Sequence, residues 1–185
     1  MIEIFWTKNK DVHRKTEILL ERKSGKSFEI KRTKNGKPYI EGNPLFFSIS
    51  HSQGRALIAI CDKPVGVDLE PNDKGGRLKK HEHVLNRFTE REKIWIGDGL
   101  AFFFLNWVCK EAYIKMKGGT LAHDLKRLEY ADYKLYADGR EADCGYAART
   151  DLRVGTYAVC AEGYSDDELS YCPIKLFRLR KGEKL

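Results

Sequence analysis

A long apolar segment, residues 98–117, most restricts how this chain can fold. It includes three consecutive phenylalanines at 102–104 and is followed by Gly118 and Gly119. The pattern predicts one long helix that ends at the glycine pair, with Asp98 as its N-terminal cap. A helix that is apolar on most of its faces is buried in a folded protein. The few charged residues inside this segment are therefore expected to be at least partly buried.

Strand patterns lie on both sides of this helix. Residues 46–50 alternate in polarity, and residues 56–61 form a short apolar run typical of a buried strand. Residues 65–69 alternate again after a short turn, and we expect these last two runs to form a hairpin. Residues 125–162 contain further strand patterns. The mixed order of helices and strands predicts an α+β fold.

A second, shorter helix is predicted just ahead of the long one. Thr89 is followed three residues later by Glu92. This spacing is typical of a capping box, in which the two side chains satisfy each other's backbone N–H groups. Residues 72–82, which precede this helix, are polar and are expected to be mobile.

Composition excludes several classes of protein. The 185 residues are 42% hydrophobic and 11% aromatic, which is enough for a real core. No apolar run reaches the length of about 18 residues that a membrane span needs, and the acidic residue at position 3 argues against a signal peptide. The five cysteines form no C-x-x-C pair, which predicts reduced thiols in a cytoplasmic protein. The formal charge of +7 favours an anionic partner, either nucleic acid, a phosphate-rich cofactor or an acidic protein.

Two acidic residues on one predicted strand form the first candidate site. Asp68 and Glu70 are two residues apart, so both carboxylates leave the same face. Gly66 lies on that face too and is expected to leave room for a ligand, while the apolar residues between them face the core. Magnesium binds oxygen ligands, commonly one or two carboxylates together with substrate phosphates. Solvent-exposed acids on a strand are the commoner explanation of such a pair.

The long helix carries a second candidate group. Trp107, Glu111 and Lys115 are spaced by four residues and therefore share one stripe of the helix. A charge in such apolar surroundings is costly unless it is paired or coordinates an ion. One interpretation is a simple ion pair between Glu111 and Lys115. The other makes Glu111 a third metal carboxylate and Lys115 a phosphate contact.

A serine-rich strand end is the third candidate. Ser48 and Ser50 share one strand face, and His51 follows at the turn. A single histidine is more often structural than functional. Hydroxyl groups beside a histidine can nevertheless bind a phosphate.

Taken together, these motifs resemble those of the 4'-phosphopantetheinyl transferase superfamily. The resemblance implies the pseudo-dimeric type typified by the surfactin synthetase activator. That type has two similar α+β halves in a pseudo-two-fold arrangement, here residues 1–71 and 72–185, with the active site at their junction. The motifs that carry the resemblance are, in chain order, Asn35-Gly36-Lys37-Pro38-Tyr39, Phe47-Ser48-Ile49-Ser50-His51-Ser52, Gly66-Val67-Asp68-Leu69-Glu70, Phe88-Thr89-Glu90-Arg91-Glu92 and Trp107-Val108-Cys109-Lys110-Glu111-Ala112-Tyr113-Ile114-Lys115.

The resemblance also implies roles for individual residues. Asp68, Glu70 and Glu111 would bind Mg²⁺, and Glu111, Lys115 and Glu92 would act in catalysis, with Glu92 or Glu111 as the general base. Members of this type carry a longer segment ahead of their phosphate-binding arginine, so weaker or altered coenzyme A binding is expected here. The residues that would contact coenzyme A are Arg14, Lys37, Ser50, His51, Lys110 and Lys115.

The implied function is transfer of 4'-phosphopantetheine from coenzyme A to a serine of an apo acyl or peptidyl carrier protein, with release of 3',5'-ADP. We expect a monomer that binds neither nucleic acid nor membrane. Two alternatives are another magnesium-dependent enzyme, such as a nuclease that uses the same acids, and a non-catalytic relative that binds coenzyme A. A nuclease would not explain the serine–histidine segment. A non-catalytic relative would have no reason to keep three costly carboxylates together.

Overall fold

The computed structural model describes residues 1–8, 10–42, 45–71 and 81–178. Helices and strands are mixed along the chain, so the predicted α+β class is confirmed. The strands are β1 (Glu3–Lys8), β2 (Ile30–Arg32), β3 (Pro38–Ile40), β4 (Phe46–Ser52), β5 (Arg55–Cys61), β6 (Val65–Glu70), β7 (Leu128–Ala131), β8 (Lys134–Ala137), β9 (Arg140–Glu141), β10 (Gly145–Asp151), β11 (Gly155–Ala161) and β12 (Ile174–Leu176). The helices are α1 (Val12–Ser24), α2 (Glu82–Leu85), α3 (Glu90–Ile96), α4 (Leu100–Lys117), α5 (Leu121–Asp124) and α6 (Asp166–Ser170), with a 3-10 turn at Leu125–Arg127.

Two sheets build the centre of the molecule. The first has the strand order β12-β1-β5-β4, and the second has the order β10-β11-β6. The predicted hairpin between residues 56–61 and 65–69 is wrong. Strand β5 pairs with β4 on one side and with β1 on the other, so neither of its edges is left for β6. Strand β6 therefore pairs with β11 in the second sheet.

The two sheets share one core, and each carries a helix on its other face. Leu57 and Ala59 of β5 belong to the same buried cluster as Val67 of β6 and Val159 of β11. The alternate residues of β5 pack with α1 in a second cluster. Helix α4 packs across β6 and β11 with a third cluster of its own. The predicted inward face of β6, at positions 65, 67 and 69, is confirmed.

Gly66 marks the closest approach between β6 and α4. A Cβ atom added at this position would lie 1.9 Å from the carbonyl oxygen of Ala112 and 2.5 Å from the backbone nitrogen of Met116. The expectation that Gly66 leaves room for a ligand is therefore wrong, because the backbone of α4 fills that space. The glycine instead allows the helix to lie directly on the strand.

The ends of α3 and α4 follow from their local sequence. Thr89 and Glu92 form the predicted capping box at the start of α3. Helix α4 ends at Gly118, which has a φ of 72°, and the N–H of Gly119 donates to the carbonyl of Ile114 at 3.0 Å. The predicted end at the glycine pair is confirmed. The start differs from the expectation, since Gly99 and not Asp98 is the cap residue.

Strand β12 returns to the first sheet, where it pairs in parallel with β1. Glu3 of β1 joins three elements, because its carboxylate accepts hydrogen bonds from Lys23 of α1 and, at 2.7 Å, from Lys175 of β12. The division into halves 1–71 and 72–185 stays a prediction, and residues 72–80, which hold its boundary and most of the segment expected to be mobile, lie outside the described residues. No helix among the described residues is long and apolar enough to cross a membrane.

Candidate active site

Strand β6 and helix α4 bring the predicted acidic residues together. Asp68 and Glu70 leave β6 on the face that α4 covers, and Glu111 and Lys115 lie one turn apart on α4. The Nζ atom of Lys115 is 2.5 Å from Oδ1 of Asp68 and 3.6 Å from Oε2 of Glu111. A carboxylate from a strand and one from a helix thus share a single ammonium group.

A row of serines on β4 holds this cluster from the other side. Ser50 Oγ donates to Oδ1 of Asp68 at 2.8 Å and accepts from Lys115 at 3.1 Å. Ser52 Oγ donates to Glu70 at 3.4 Å, and Ser48 Oγ accepts from a backbone N–H of β6 at 3.1 Å. Ser52 is not among the residues predicted to form the site. The period of two at 48, 50 and 52 is the signal that places all three hydroxyls on one strand face.

The crowding of carboxylates changes their pKa values. Burial, followed by the negative charge of Asp68, raises the pKa of Glu111 to about 8, and Lys115 only partly offsets this. Burial and Asp68 also raise the pKa of Glu70, against a hydrogen bond from Trp107. Burial by itself would lower the pKa of Lys115, but the charges of Asp68 and Glu111 outweigh it and raise the pKa. The site therefore carries more negative charge than its own cation neutralises.

One oxygen of the cluster has no partner among the described residues. Oδ2 of Asp68 is buried and accepts no hydrogen bond. An orphaned carboxylate oxygen at a buried position is costly and fits a site that receives a cation. Within the described residues, no group of three or more acidic, histidine or cysteine side chains already has the spacing of a metal site. The ammonium of Lys115 lies between Asp68 and Glu111 instead.

Comparison with known proteins supports the resemblance to this family. The model of the 4'-phosphopantetheinyl transferase superfamily matches residues 64–154, a span that contains all three acids and Lys115. Over this span the chain is similar to the 4'-phosphopantetheinyl transferase superfamily. The resemblance inferred from the five motifs is thereby confirmed.

Individual transferases are also similar to parts of the chain. The L-aminoadipate-semialdehyde dehydrogenase-phosphopantetheinyl transferase of Xenopus laevis is 34% identical over 117 residues, which cover 55% of this chain and 39% of that protein. The 4'-phosphopantetheinyl transferase psf-1 of Bacillus pumilus is 33% identical over 100 residues, which cover 49% and 40% respectively. The transferase AcpT of Salmonella typhi is 32% identical over 108 residues, which cover 56% of each protein. The matched part thus spans about two-fifths to just over half of these relatives' lengths.

A cleft beside the acidic cluster contains another residue that the superfamily resemblance singles out. A cavity of about 220 Å³ is lined by Lys37 and Lys115 together with Ser48. The Nζ atom of Lys37 donates to the carbonyl of Met116 at 2.6 Å, and burial lowers the pKa of this lysine. Asn35, in the same turn, donates to the carbonyl of Gly118 at 2.9 Å. The turn between β2 and β3 therefore holds the C-terminal end of α4 against the cleft.

Arg14 and His51 lie outside the hydrogen-bonded cluster. His51 is exposed on β4, on the face opposite to Ser50. Arg14 is exposed on α1, where its guanidinium lies 3.0 Å from Glu17 and 3.7 Å from Glu21. Among the described residues, neither side chain forms a hydrogen bond or ion pair with the three acids, so the structure brings them to the protein surface and not to the cluster.

Glu92 and Lys110 form a separate, fully buried ion pair. Their side chains have no exposed surface, and the Nζ of Lys110 lies 2.8 Å from Oε1 of Glu92. Glu92 also accepts from Asn106 at 3.2 Å and from the backbone N–H of Tyr130 at 2.8 Å. Lys110 precedes Glu111 in sequence but points about 100° away around the helix, toward α3 and β7. The structure therefore does not bring either residue to the candidate active site, and their contacts join α3, α4 and β7.

Proposed function

We propose that this chain transfers the 4'-phosphopantetheine group of coenzyme A to a serine of an apo carrier protein and releases 3',5'-ADP. The observation that carries the proposal is the convergence of Asp68, Glu70, Glu111 and Lys115, together with an Oδ2 atom of Asp68 that is buried and has no partner among the described residues. These residues lie within the span that matches the superfamily. Similarity to named transferases supports the same reaction.

In this proposal, Asp68, Glu70 and Glu111 hold one Mg²⁺ ion. Three carboxylates with a free buried oxygen are the hard oxygen donors that Mg²⁺ binds. A bound Mg²⁺ would neutralise charge on the diphosphate and on the leaving 3',5'-ADP. The serines of β4 then fix the acids, since Ser50 bonds Asp68 and Ser52 bonds Glu70.

Coenzyme A is proposed to bind in the cleft that continues from this cluster. Lys115 and Ser50 would contact its phosphates, and Lys37 would line the same cleft. His51 and Arg14 are exposed cations or donors that could reach the 3'-phosphate from the surface. Lys110 is left out of this set, because its ammonium is enclosed with Glu92.

Glu111 is proposed to be the general base that accepts the hydroxyl proton of the attacking serine. The serine oxygen forms a bond to the β-phosphorus of coenzyme A, and the bond from that phosphorus to the oxygen of 3',5'-ADP breaks. A base within reach of the hydroxyl is needed to take its proton. The side chain of Glu111 is 16% exposed, whereas that of Glu92 is enclosed and fully hydrogen-bonded. Of the two candidate bases, Glu111 is therefore the one that substrate can reach.

The partner is proposed to be an acyl or peptidyl carrier protein with an acidic docking surface. The net charge of +7 would favour such a partner by electrostatic steering. We also propose that two α+β halves, 1–71 and 72–185, meet at the active site and that the chain works as a monomer in the cytoplasm. The five cysteines, all unpaired in the structure, agree with a reducing compartment.

The decisive experiment incubates the protein with coenzyme A, Mg²⁺ and a panel of apo carriers, and measures the intact mass of each carrier. The proposal expects one carrier to gain a single phosphopantetheine and expects Asp68→Asn and Glu111→Gln to abolish the gain. Glu162→Gln is the matched control, because Glu162 pairs with Lys117 at the surface and should leave transfer intact. Cleavage of added nucleic acid would support the nuclease alternative. Binding of coenzyme A without transfer to any carrier would support the non-catalytic one.

A further inference from the structure

Lys115 is the cation that joins the acidic cluster across two elements. Its Nζ atom lies 2.5 Å from Asp68 on β6 and 3.6 Å from Glu111 on α4. Ser50 on β4 provides a third contact at 3.1 Å. Among the described residues, the ion pairs of both carboxylates are made by this one ammonium group. The side chain of Lys115 thus connects three elements, β4, β6 and α4.

The carboxylates need such a cation whenever no metal is bound. The side chain of Asp68 is only 4% exposed and that of Glu111 only 16%, so water screens their repulsion poorly. Lys115 is 31% exposed and reaches the cluster from the side of the cleft. The ammonium group can therefore move from the carboxylates into the cleft, because it is not enclosed in the core.

The two carboxylate oxygens of Asp68 differ in their hydrogen bonding. Oδ1 is occupied by Lys115 and Ser50, whereas Oδ2 is buried and has no partner among the described residues. An incoming cation would therefore contact Oδ2 first and displace the ammonium from Oδ1 afterwards. Once a divalent ion neutralises the cluster, the carboxylates no longer require Lys115.

We propose that Lys115 is a stand-in cation, which holds Asp68 and Glu111 together in the metal-free protein and is freed for the phosphates of the substrate when the metal binds. The inference rests on the metal site proposed above. It assigns Lys115 a second task, in the free protein, in addition to its proposed contact with coenzyme A. A lysine that only binds phosphate would matter for substrate and not for the free protein.

The first test measures Mn²⁺ binding to the free protein by isothermal titration calorimetry, without coenzyme A. Because Lys115 competes for the same carboxylates, Lys115→Met should tighten Mn²⁺ binding by about tenfold, the lower end of what one neighbouring unit charge does to a protonation equilibrium. The matched control is Lys117→Met, which removes a surface lysine two residues along the same helix and should leave binding unchanged. Unchanged or weaker binding in Lys115→Met, or no Mn²⁺ binding to the unchanged protein, overturns the proposal.

The second test measures metal-free stability in a double-mutant cycle. Lys115→Met should lower the urea midpoint, and adding Glu111→Gln should restore part of it, since the buried carboxyl group that lost its cation is then removed. If Lys115→Met does not fold without metal, the proposal expects the double variant to fold and Mn²⁺ to rescue the single one. Additive effects of the two substitutions, or failure of both rescues, contradict it.

The two tests are independent of the proposed reaction, because neither uses coenzyme A or a carrier. If no carrier is modified but both tests succeed, the transferase proposal fails and the stand-in role remains. If transfer is normal but the cycle shows no coupling between Lys115 and Glu111, the stand-in role fails alone.

Discussion

The close contact at Gly66 predicts how strongly the site depends on the position of α4. In Gly66→Ala the new Cβ atom would lie 1.9 Å from the carbonyl oxygen of Ala112, about 1.5 Å short of van der Waals contact. The three nearest atoms all belong to the helix backbone, so no side-chain rotation can relieve the overlap. Helix α4 would have to move by about 1 Å, and Glu111 and Lys115 would move with it.

Two measurements follow from this displacement. Overpacking of this kind costs about 3 kcal/mol of unfolding free energy, the upper part of the usual range, because the clash is with backbone. Urea denaturation should show this loss. Titration with Mn²⁺ should show binding weakened by at least about tenfold, since a misplacement of about 1 Å in a site is known to cost up to a hundredfold.

The sign of the stability change distinguishes a close helix–strand contact at Gly66 from open space. Gly66 has an ordinary backbone conformation, so alanine in open space at this strand position would stabilise the protein by about 0.5–1 kcal/mol. Gly25→Ala is the control: its φ of 70° adds backbone strain, but nothing lies within 4 Å of the added Cβ, so Mn²⁺ binding should not change. Equal or higher stability of Gly66→Ala would refute the tight helix–strand contact.

Three further predictions address other parts of the structure. Lys110→Met should cost about 3–5 kcal/mol in urea denaturation, because it leaves the charge of Glu92 buried and unpaired, and Glu92→Gln in the same chain should recover part of the loss. The two lysines that bind Glu3 lower its pKa, so its contribution of about 1 kcal/mol is complete above pH 4.5 and disappears as the pH falls through the folded-state value. The difference in unfolding free energy between the unchanged protein and Glu3→Gln should therefore shrink from pH 6 to pH 3; a constant difference would contradict the assignment. Asn35→Ala removes the hydrogen bond to Gly118 and should cost about 1 kcal/mol, measured as a lower thermal midpoint, with the mass-based transfer assay slowed and not abolished.

Local periodicity predicted the parts of this structure that depend on neighbouring residues alone. The end of α4 at Gly118 and the capping box at Thr89 and Glu92 are set within a few residues of chain. A period of two on β6 and of four on α4 also placed Asp68 with Glu70 and Glu111 with Lys115. The resemblance to a family then related the two pairs to each other, which periodicity could not do.

Strand pairing failed because it is decided by elements that are distant in sequence. The runs at 56–61 and 65–69 look like a hairpin, since only a short turn separates them. Strand β5 is already paired on both edges, with β1 from the start of the chain and with β4. The sequence of residues 56–69 does not indicate that both edges of β5 are already paired. The expectation that Gly66 leaves room for a ligand was wrong for the same reason. The sequence shows that a side chain is missing there, but it does not show which distant backbone segment fills the space.

The two Glu–Lys pairs whose lysines lie on α4 show why a charge pattern alone cannot separate a structural pair from a functional one. Both pairs combine one carboxylate and one ammonium in an apolar region. Among the described residues, Glu92 and Lys110 form no hydrogen bond with another charged side chain, and both carboxylate oxygens of Glu92 accept hydrogen bonds. Glu111 and Lys115 face further carboxylates from β6, so one cation there is too few. A buried pair that balances its charge is costly to break, whereas the excess of carboxylates at the second pair is what the proposed divalent ion would neutralise.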